Sequence, residues 1–142
     1  MPVSISGSEA ATEALASDLA ARLGAGDVVL LSGTLGAGKT AFVRGLARGL
    51  GADPGEVSSP TFAIVHEYRG GRLPLFHVDL YRLTSADTAD LGLREMGAGE
   101  GVLAIEWPER LAHAFPRATA IQLETVDGAE ETVRRITIDS PL

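Results

Sequence analysis

Val28-Val29-Leu30-Leu31-Ser32, followed by Gly33-Thr34-Leu35-Gly36-Ala37-Gly38-Lys39-Thr40, is the stretch on which the fold turns. A short continuous apolar run is the mark of a strand covered on both faces, as in a parallel sheet. The eight residues after it satisfy G-x-x-x-x-G-K-[ST], and Phe42, Val43, Leu46, Ala47 and Leu50 then mark one side of a helix that stops at Gly51. Strand, glycine loop and helix in that order is the context that separates a phosphate-binding loop from a flexible turn with an exposed lysine. Glycines let successive backbone N–H groups point at phosphate oxygens, and the opening helix adds the positive end of its dipole. Lys39 brings a point charge to the outer phosphates, and Thr40 brings a hydroxyl to Mg²⁺. The candidate nucleotide-binding residues are therefore Gly33, Thr34, Leu35, Gly36, Ala37, Gly38, Lys39 and Thr40.

Composition sharpens the choice of Lys39. Of the 12 basic residues, Lys39 is the one lysine and the rest are arginine. In a chain that uses arginine wherever it serves, a surviving lysine marks a place where a planar fork does not fit.

Around this core the pattern is that of one α/β domain spanning residues 1–142. Ser6 to Glu9 has the spacing of a capping box, and Leu15, Leu19 and Leu23 predict an amphipathic helix over about Ser8 to Leu23. After the turn signals Asp53-Pro54-Gly55 and Ser58-Ser59-Pro60, Thr61 to Tyr68 and Leu73 to Leu80 predict two strands joined through Gly70-Gly71. A helix is predicted over about Ser85 to Met96, then a buried strand at Val102-Leu103-Ala104-Ile105. A closing antiparallel hairpin, Thr119 to Val126 and Thr132 to Asp139, turns at Asp127-Gly128. The fold expected is a three-layer α/β P-loop fold with a mostly parallel central sheet and a C-terminal antiparallel hairpin.

The balance of charge excludes other classes. With 45% hydrophobic and 22% charged residues the chain has the composition of a globular protein, and no apolar run approaches the roughly 20 residues of a membrane span. There is no cysteine, and the first residues lack the basic and apolar regions of a signal peptide, so a cytoplasmic protein is expected. A net charge of -7 argues against holding nucleic acid directly through its phosphates.

A P-loop needs a carboxylate on the magnesium side, and a buried strand that ends in an acid is its usual source. Val102-Leu103-Ala104-Ile105-Glu106 fits, against the plainer reading of an exposed acid at a strand end. Asp79 is the second candidate acid, on the same strand face as His77 and opposite Phe76, Val78 and Leu80. Thr61, after a rigid Ser58-Ser59-Pro60 turn, has the place of a loop hydroxyl that senses a γ-phosphate, though a loop threonine is more often a local turn bond. Trp107, the one tryptophan, has two equal readings, core filler or neighbour of the nucleotide or a partner.

Taken together, Gly33 to Thr40, Phe42 to Ala47, Ser59-Pro60-Thr61-Phe62, His77-Val78-Asp79-Leu80-Tyr81-Arg82-Leu83 and Ile105-Glu106-Trp107-Pro108-Glu109 resemble the TsaE family, also called YjeE, in order and spacing. The resemblance implies a small bacterial ATPase needed for threonylcarbamoyladenosine in tRNA. It acts with TsaD and TsaB, touches tRNA through their complex, and uses ATP and Mg²⁺, while another enzyme makes the threonylcarbamoyl-adenylate donor. It implies that Lys39 and Thr40 bind phosphate and magnesium, that Glu106 is the magnesium-side acid, that Asp79 is required for hydrolysis, and that Thr61 lies in a switch-like loop. Ala41 departs from relatives with a second hydroxyl after the P-loop threonine, and the metal ligand is untouched by that change.

Three other classes of protein use a P-loop. A guanine-specific switch needs Asn-Lys-x-Asp, which a chain with its one lysine in the P-loop does not contain. A small-molecule kinase needs an Arg-bearing lid, and the segment from Arg82 to Gly101 offers Arg82 and Arg94 alone. A nucleotide-binding module without hydrolysis is separated from an ATPase by turnover measured with and without partners.

Overall fold

The computed structural model describes residues 3–33, 38–53, 65–84, 92–93, 95, 99–112 and 115–140. Seven strands form one sheet: β1 (Val3–Ser6), β2 (Val28–Ser32), β3 (Val65–Tyr68), β4 (Leu75–Asp79), β5 (Val102–Glu106), β6 (Thr119–Thr125) and β7 (Arg134–Asp139). Their spatial order is β1-β7-β6-β2-β5-β4-β3. The four central strands, β6-β2-β5-β4, are parallel, and antiparallel β3 closes one side while β7 and β1 close the other.

Periodicity and burial explain the central strands. Every residue of β5 is buried, so its apolar run is the centre of the sheet. Val29 and Leu31 of β2, Val102 and Ala104 of β5 and Leu75 of β4 face the two helices; Val28, Leu103, Ile105 and Val78 face the other side. That second face is covered, among the described residues, by Leu83, Leu93, Leu111, Phe115 and Ala118. The helix expected over Ser85 to Met96 lies outside the described residues apart from Gly92, Leu93 and Glu95.

The helices α1 (Glu9–Ala20) and α2 (Lys39–Leu50) pack together on the first face. Phe42, Leu46 and Leu50 of α2 are fully or almost fully buried, each contributing about 1.5–3 kcal/mol through area removed from water. The helices meet at Gly45 and Gly49. A Cβ on Gly45 would overlap the Glu13 carbonyl oxygen, and one on Gly49 would lie 2.6 Å from Ala20 Cβ. Beside this contact, Glu13 of α1 pairs with Arg48 at 3.1 Å and Arg44 at 3.6 Å.

Two sequence expectations need correction, the capping box at Ser6 and the end of the first helix at Leu23, since α1 stops at Ala20. The cap of α1 is Ser8, whose hydroxyl accepts from the Ala11 N–H; Ser6 is the last residue of β1, its hydroxyl engaged with the Ser8 carbonyl and the Thr12 hydroxyl. The strand β1 itself was not expected, because Val3 and Ile5 remain exposed and its partner β7 lies at the other end of the chain. The hairpin of β6 and β7 is present with ends slightly inside the expected ranges, and its turn carries Gly128 at φ 79°. β3 occupies the second half of the strand expected over Thr61 to Tyr68; residues 61–64 lie outside the described residues.

Candidate functional site

The site is built where β2, β4 and β5 end together. Asp79 and Glu106 are the last residues of β4 and β5 and pair in register, and Glu106 also registers with Leu31 of β2, two residues before Gly33. Strand alternation puts His77, Asp79 and Glu106 on the face that α2 covers, since they share parity with Leu75, Val102 and Ala104. A register slip of one residue would turn both acids away. Carboxyl ends of parallel strands beside a helix N-terminus are where open α/β sheets bind ligands.

The helix N-terminus is supplied by α2. Gly38 is its N-cap at φ 98°, a conformation costly for any residue with a Cβ, and it offers no side chain to the first-turn amides. Lys39 opens the helix, buried at 5% exposure, and its ammonium donates to the Gly33 carbonyl at 2.8 Å. The same ammonium lies 3.9 Å from the centroid of the Trp107 ring. Burial pushes the Lys39 pKa below its ordinary value, while the negative charges of Glu106, Asp79 and Glu109 pull it up. The ammonium is thus a desolvated cation among three acids.

Asp79 is the mirror case. Desolvation raises its carboxyl pKa; the Tyr81 N–H, donating to Oδ1 at 2.9 Å, lowers it, Glu106 raises it, and His77 and Lys39 lower it. Glu106 is buried at 5% exposure, with Oε2 2.5 Å from His77 Nε2. Trp107, directly after Glu106, is the one described non-glycine residue at positive φ (62°, ψ 54°), at the start of a 3-10 turn over Pro108–Arg110. Strained backbone of this kind persists where surroundings over-determine it. Here Tyr81 lies against the indole at 4.9 Å between centroids and Lys39 lies over its face.

Of the residues expected at the site, Gly33, Gly38, Lys39, Asp79 and Glu106 converge, and Thr40 occupies the second position of α2. Thr34, Leu35, Gly36, Ala37 and Thr61 lie outside the described residues. Trp107 belongs to the site through Lys39, in addition to packing partly against the core. Arg44, one turn into α2, faces α1 and bridges to Glu13. A cation that sequence reasoning missed lies beside Gly38: Arg134 Nε of β7 is 3.9 Å from where a Gly38 Cβ would be. Its signal in the sequence was a pair of arginines opening a strand, which names no target.

These features define a protein of the P-loop α/β class, with a phosphate loop and two acids at the carboxyl edge of its sheet. Within that class, the chain belongs to the TsaE family: residues 6–136 match the family described as threonylcarbamoyl adenosine biosynthesis protein TsaE. Relatives named tRNA threonylcarbamoyladenosine biosynthesis protein TsaE include that of Synechocystis, 50% identical over 105 residues, 71% of this chain and 66% of the relative. Another, from Aquifex aeolicus, is 41% identical over 128 residues, 89% of this chain and 90% of the relative. The matched segment thus spans slightly less than two thirds of the Synechocystis protein's own length. Among solved structures, Bacillus subtilis YdiB superposes with a TM-score of 0.77 at 36% identity, over 96% of this chain and 83% of that one. No helix among the described residues is long and apolar enough to cross a membrane.

Proposed function

We propose that this chain is a cytoplasmic ATPase that binds ATP with Mg²⁺, hydrolyses it to ADP and phosphate, and serves threonylcarbamoyladenosine formation in tRNA by resetting a complex of TsaD-like and TsaB-like proteins between rounds. The observation that carries the reading is the buried Lys39 ammonium at an open helix N-terminus, faced by Asp79 and Glu106 from two adjacent strand ends.

The residues fit a magnesium nucleotide. Mg²⁺ takes one or two protein ligands and draws the rest from phosphate oxygens and water, and the Thr40 hydroxyl with the Glu106 carboxylate meets that need. When bound, the metal supplies charge neutralisation on the phosphates. Lys39 would exchange the Gly33 carbonyl for the outer phosphate oxygens, a polar group replaced by a charged acceptor. With Oδ1 engaged by the Tyr81 N–H, Asp79 keeps Oδ2 to orient a water toward the γ-phosphorus. The water's oxygen then bonds to phosphorus as the bond to the β-phosphate bridging oxygen breaks, ADP leaves with that oxygen, and the water's proton passes to an oxygen of the released phosphate. Gly33 to Thr40 cradle the phosphates, and Thr61 is the loop hydroxyl assigned to sensing the γ-phosphate.

Slow turnover alone is part of the reading. Arg44 is held by α1, and Arg134 comes from β7, which lies on the opposite side of β2 from the strands that carry the two acids. A cation supplied in trans raises rates on the order of 10³ to 10⁵-fold in related phosphoryl chemistry. The net charge of -7 leaves most tRNA contacts to the partners. The test is steady-state ATP hydrolysis by the chain alone and with purified TsaB and TsaD counterparts. Stimulation supports the reading; fast turnover that the partners do not change, with phosphorylation of an added small acceptor, replaces it with a kinase.

A further inference from the structure

His77 sits in the middle of β4, completely buried, in register with Ala104 of β5 and His66 of β3. Leu75, on the same strand face two residues earlier, is apolar and equally buried. At 77 the chain instead carries an imidazole whose Nδ1 finds no hydrogen-bond partner among the described residues, and whose Nε2 lies 2.5 Å from Oε2 of Glu106. A buried polar ring with one nitrogen unmatched is costly unless the other nitrogen's bond matters. Because no described residue offers Nδ1 an acceptor and the carboxylate beside Nε2 can only accept, Nε2 carries a proton that points at the carboxylate. Among the described residues this is the one hydrogen bond to the Glu106 side chain.

We infer that His77 is the positioning residue for Glu106: its Nε2–H fixes Oε2 and leaves Oε1 as the oxygen presented to the metal of the bound nucleotide. The inference rests on the reading of Glu106 as the magnesium-side acid. Without the bond, the Glu106 side chain is free to turn about its own torsions at a strand end whose backbone stays fixed by the ladder and by the Leu80 N–H on its carbonyl. Partners one bond behind a metal ligand commonly change metal affinity by about 10- to 100-fold when removed.

Two quantities separate positioning from general packing: ATP affinity without metal, and the Mg²⁺ dependence of ATP binding, both read by calorimetry with EDTA or graded Mg²⁺. His77→Leu keeps bulk and removes the donor; His77→Asn keeps polarity, with an amide that falls near the Nδ1 position and short of Glu106. Both raise the Mg²⁺ concentration at half-effect by about 10-fold or more, while metal-free ATP affinity stays within about twofold. His77→Gln, whose amide reaches about as far as Nε2, restores most of the loss. Glu106→Gln calibrates the readout. If it leaves Mg²⁺ dependence unchanged, the assignment of Glu106 fails. If it weakens Mg²⁺ dependence while folded His77→Asn or His77→Leu does not, or if Gln rescues nothing, the role given to His77 is overturned.

Discussion

Replacing Gly45 by Ala tests whether the α1–α2 contact fixes the position of the phosphate loop. On an open helix the change would stabilise, because Ala exceeds Gly in helix propensity by about 1 kcal/mol. Here the added Cβ would lie 2.7 Å from Ala16 Cβ and closer still to the Glu13 carbonyl oxygen, whereas ordinary contact starts at 3.4 Å. The obstacle is backbone, so the helices must part by roughly 1 Å, and overpacking of this kind costs about 1–3 kcal/mol. Because backbone cannot yield as a side chain can, the upper part of that range, about 2–3 kcal/mol, applies, and the net expectation is a loss of about 1–2 kcal/mol after the propensity gain is subtracted. For 142 residues at about 2.1 cal/mol/K each, the unfolding entropy is about 0.3 kcal/mol/K, so Tm should fall by about 3–7 °C. Differential scanning calorimetry checks the fall, with Gly7→Ala as control, since a Cβ there meets nothing within 4 Å. Lys39 opens the same helix six residues before Gly45, so weaker Mg-ATP binding should accompany the loss of stability. A Gly45→Ala protein that melts at or above wild type would refute the packing argument.

Three more outcomes follow from the site. Mg-ATP at 100 times its Kd should raise Tm by several degrees, from about 2.7 kcal/mol of linkage, and should change the emission of Trp107 as Lys39 leaves its ring; Lys39→Ala and Lys39→Arg should show neither effect at that concentration. Asp79→Asn and Glu106→Gln should impair hydrolysis more than ATP binding, by 10-fold or more on the order expected of a water-positioning or metal-side group, measured by turnover beside calorimetric Kd. Asp79→Asn should also stabilise the nucleotide-free protein near neutral pH. The folded pKa of Asp79 is raised by burial, so its carboxyl favours folding below the ordinary value of 3.8 and loses that contribution as pH climbs through the folded value. The Tm gain of the variant should therefore be larger at about pH 7.5 than at about pH 4, and equal gains at both would contradict the burial of that charge.

Local patterns in the sequence were enough for the elements that depend on neighbours in the chain. The apolar run of β2, the glycines that open and close α2, and the acid that ends β5 all signal themselves within a dozen residues. Ser6 misled because two serines lie within reach of the same helix start, and pairing with β7 decided which one is strand. The pairs that build the site are long-range: His77 meets Glu106 across 29 residues, and Lys39 meets Trp107 across three strands of the chain. Such contacts depend on sheet order, and no period or spacing in one chain encodes sheet order. The parity of His77 with Asp79 was legible, whereas its partner was not.

The hairpin of β3 and β4 has a consequence for how the molecule opens. The Arg72 guanidinium donates to the carbonyls of Ala20 and Leu23 behind α1, and its backbone N–H donates to the Leu50 carbonyl at the end of α2. One residue thus latches the trailing ends of both helices to the connection that leads into β4. Helix ends ordinarily fray first and exchange their amide hydrogens quickly, at free energies far below that of global unfolding. Here fraying of either helix end requires the latch to release, while β4 itself stays paired to β5 and β3. The two helix termini and the connection at Arg72 should therefore exchange as one cooperative unit, an opening that unseats the far end of the phosphate-loop helix while Asp79 and Glu106 stay held by the β4–β5 ladder.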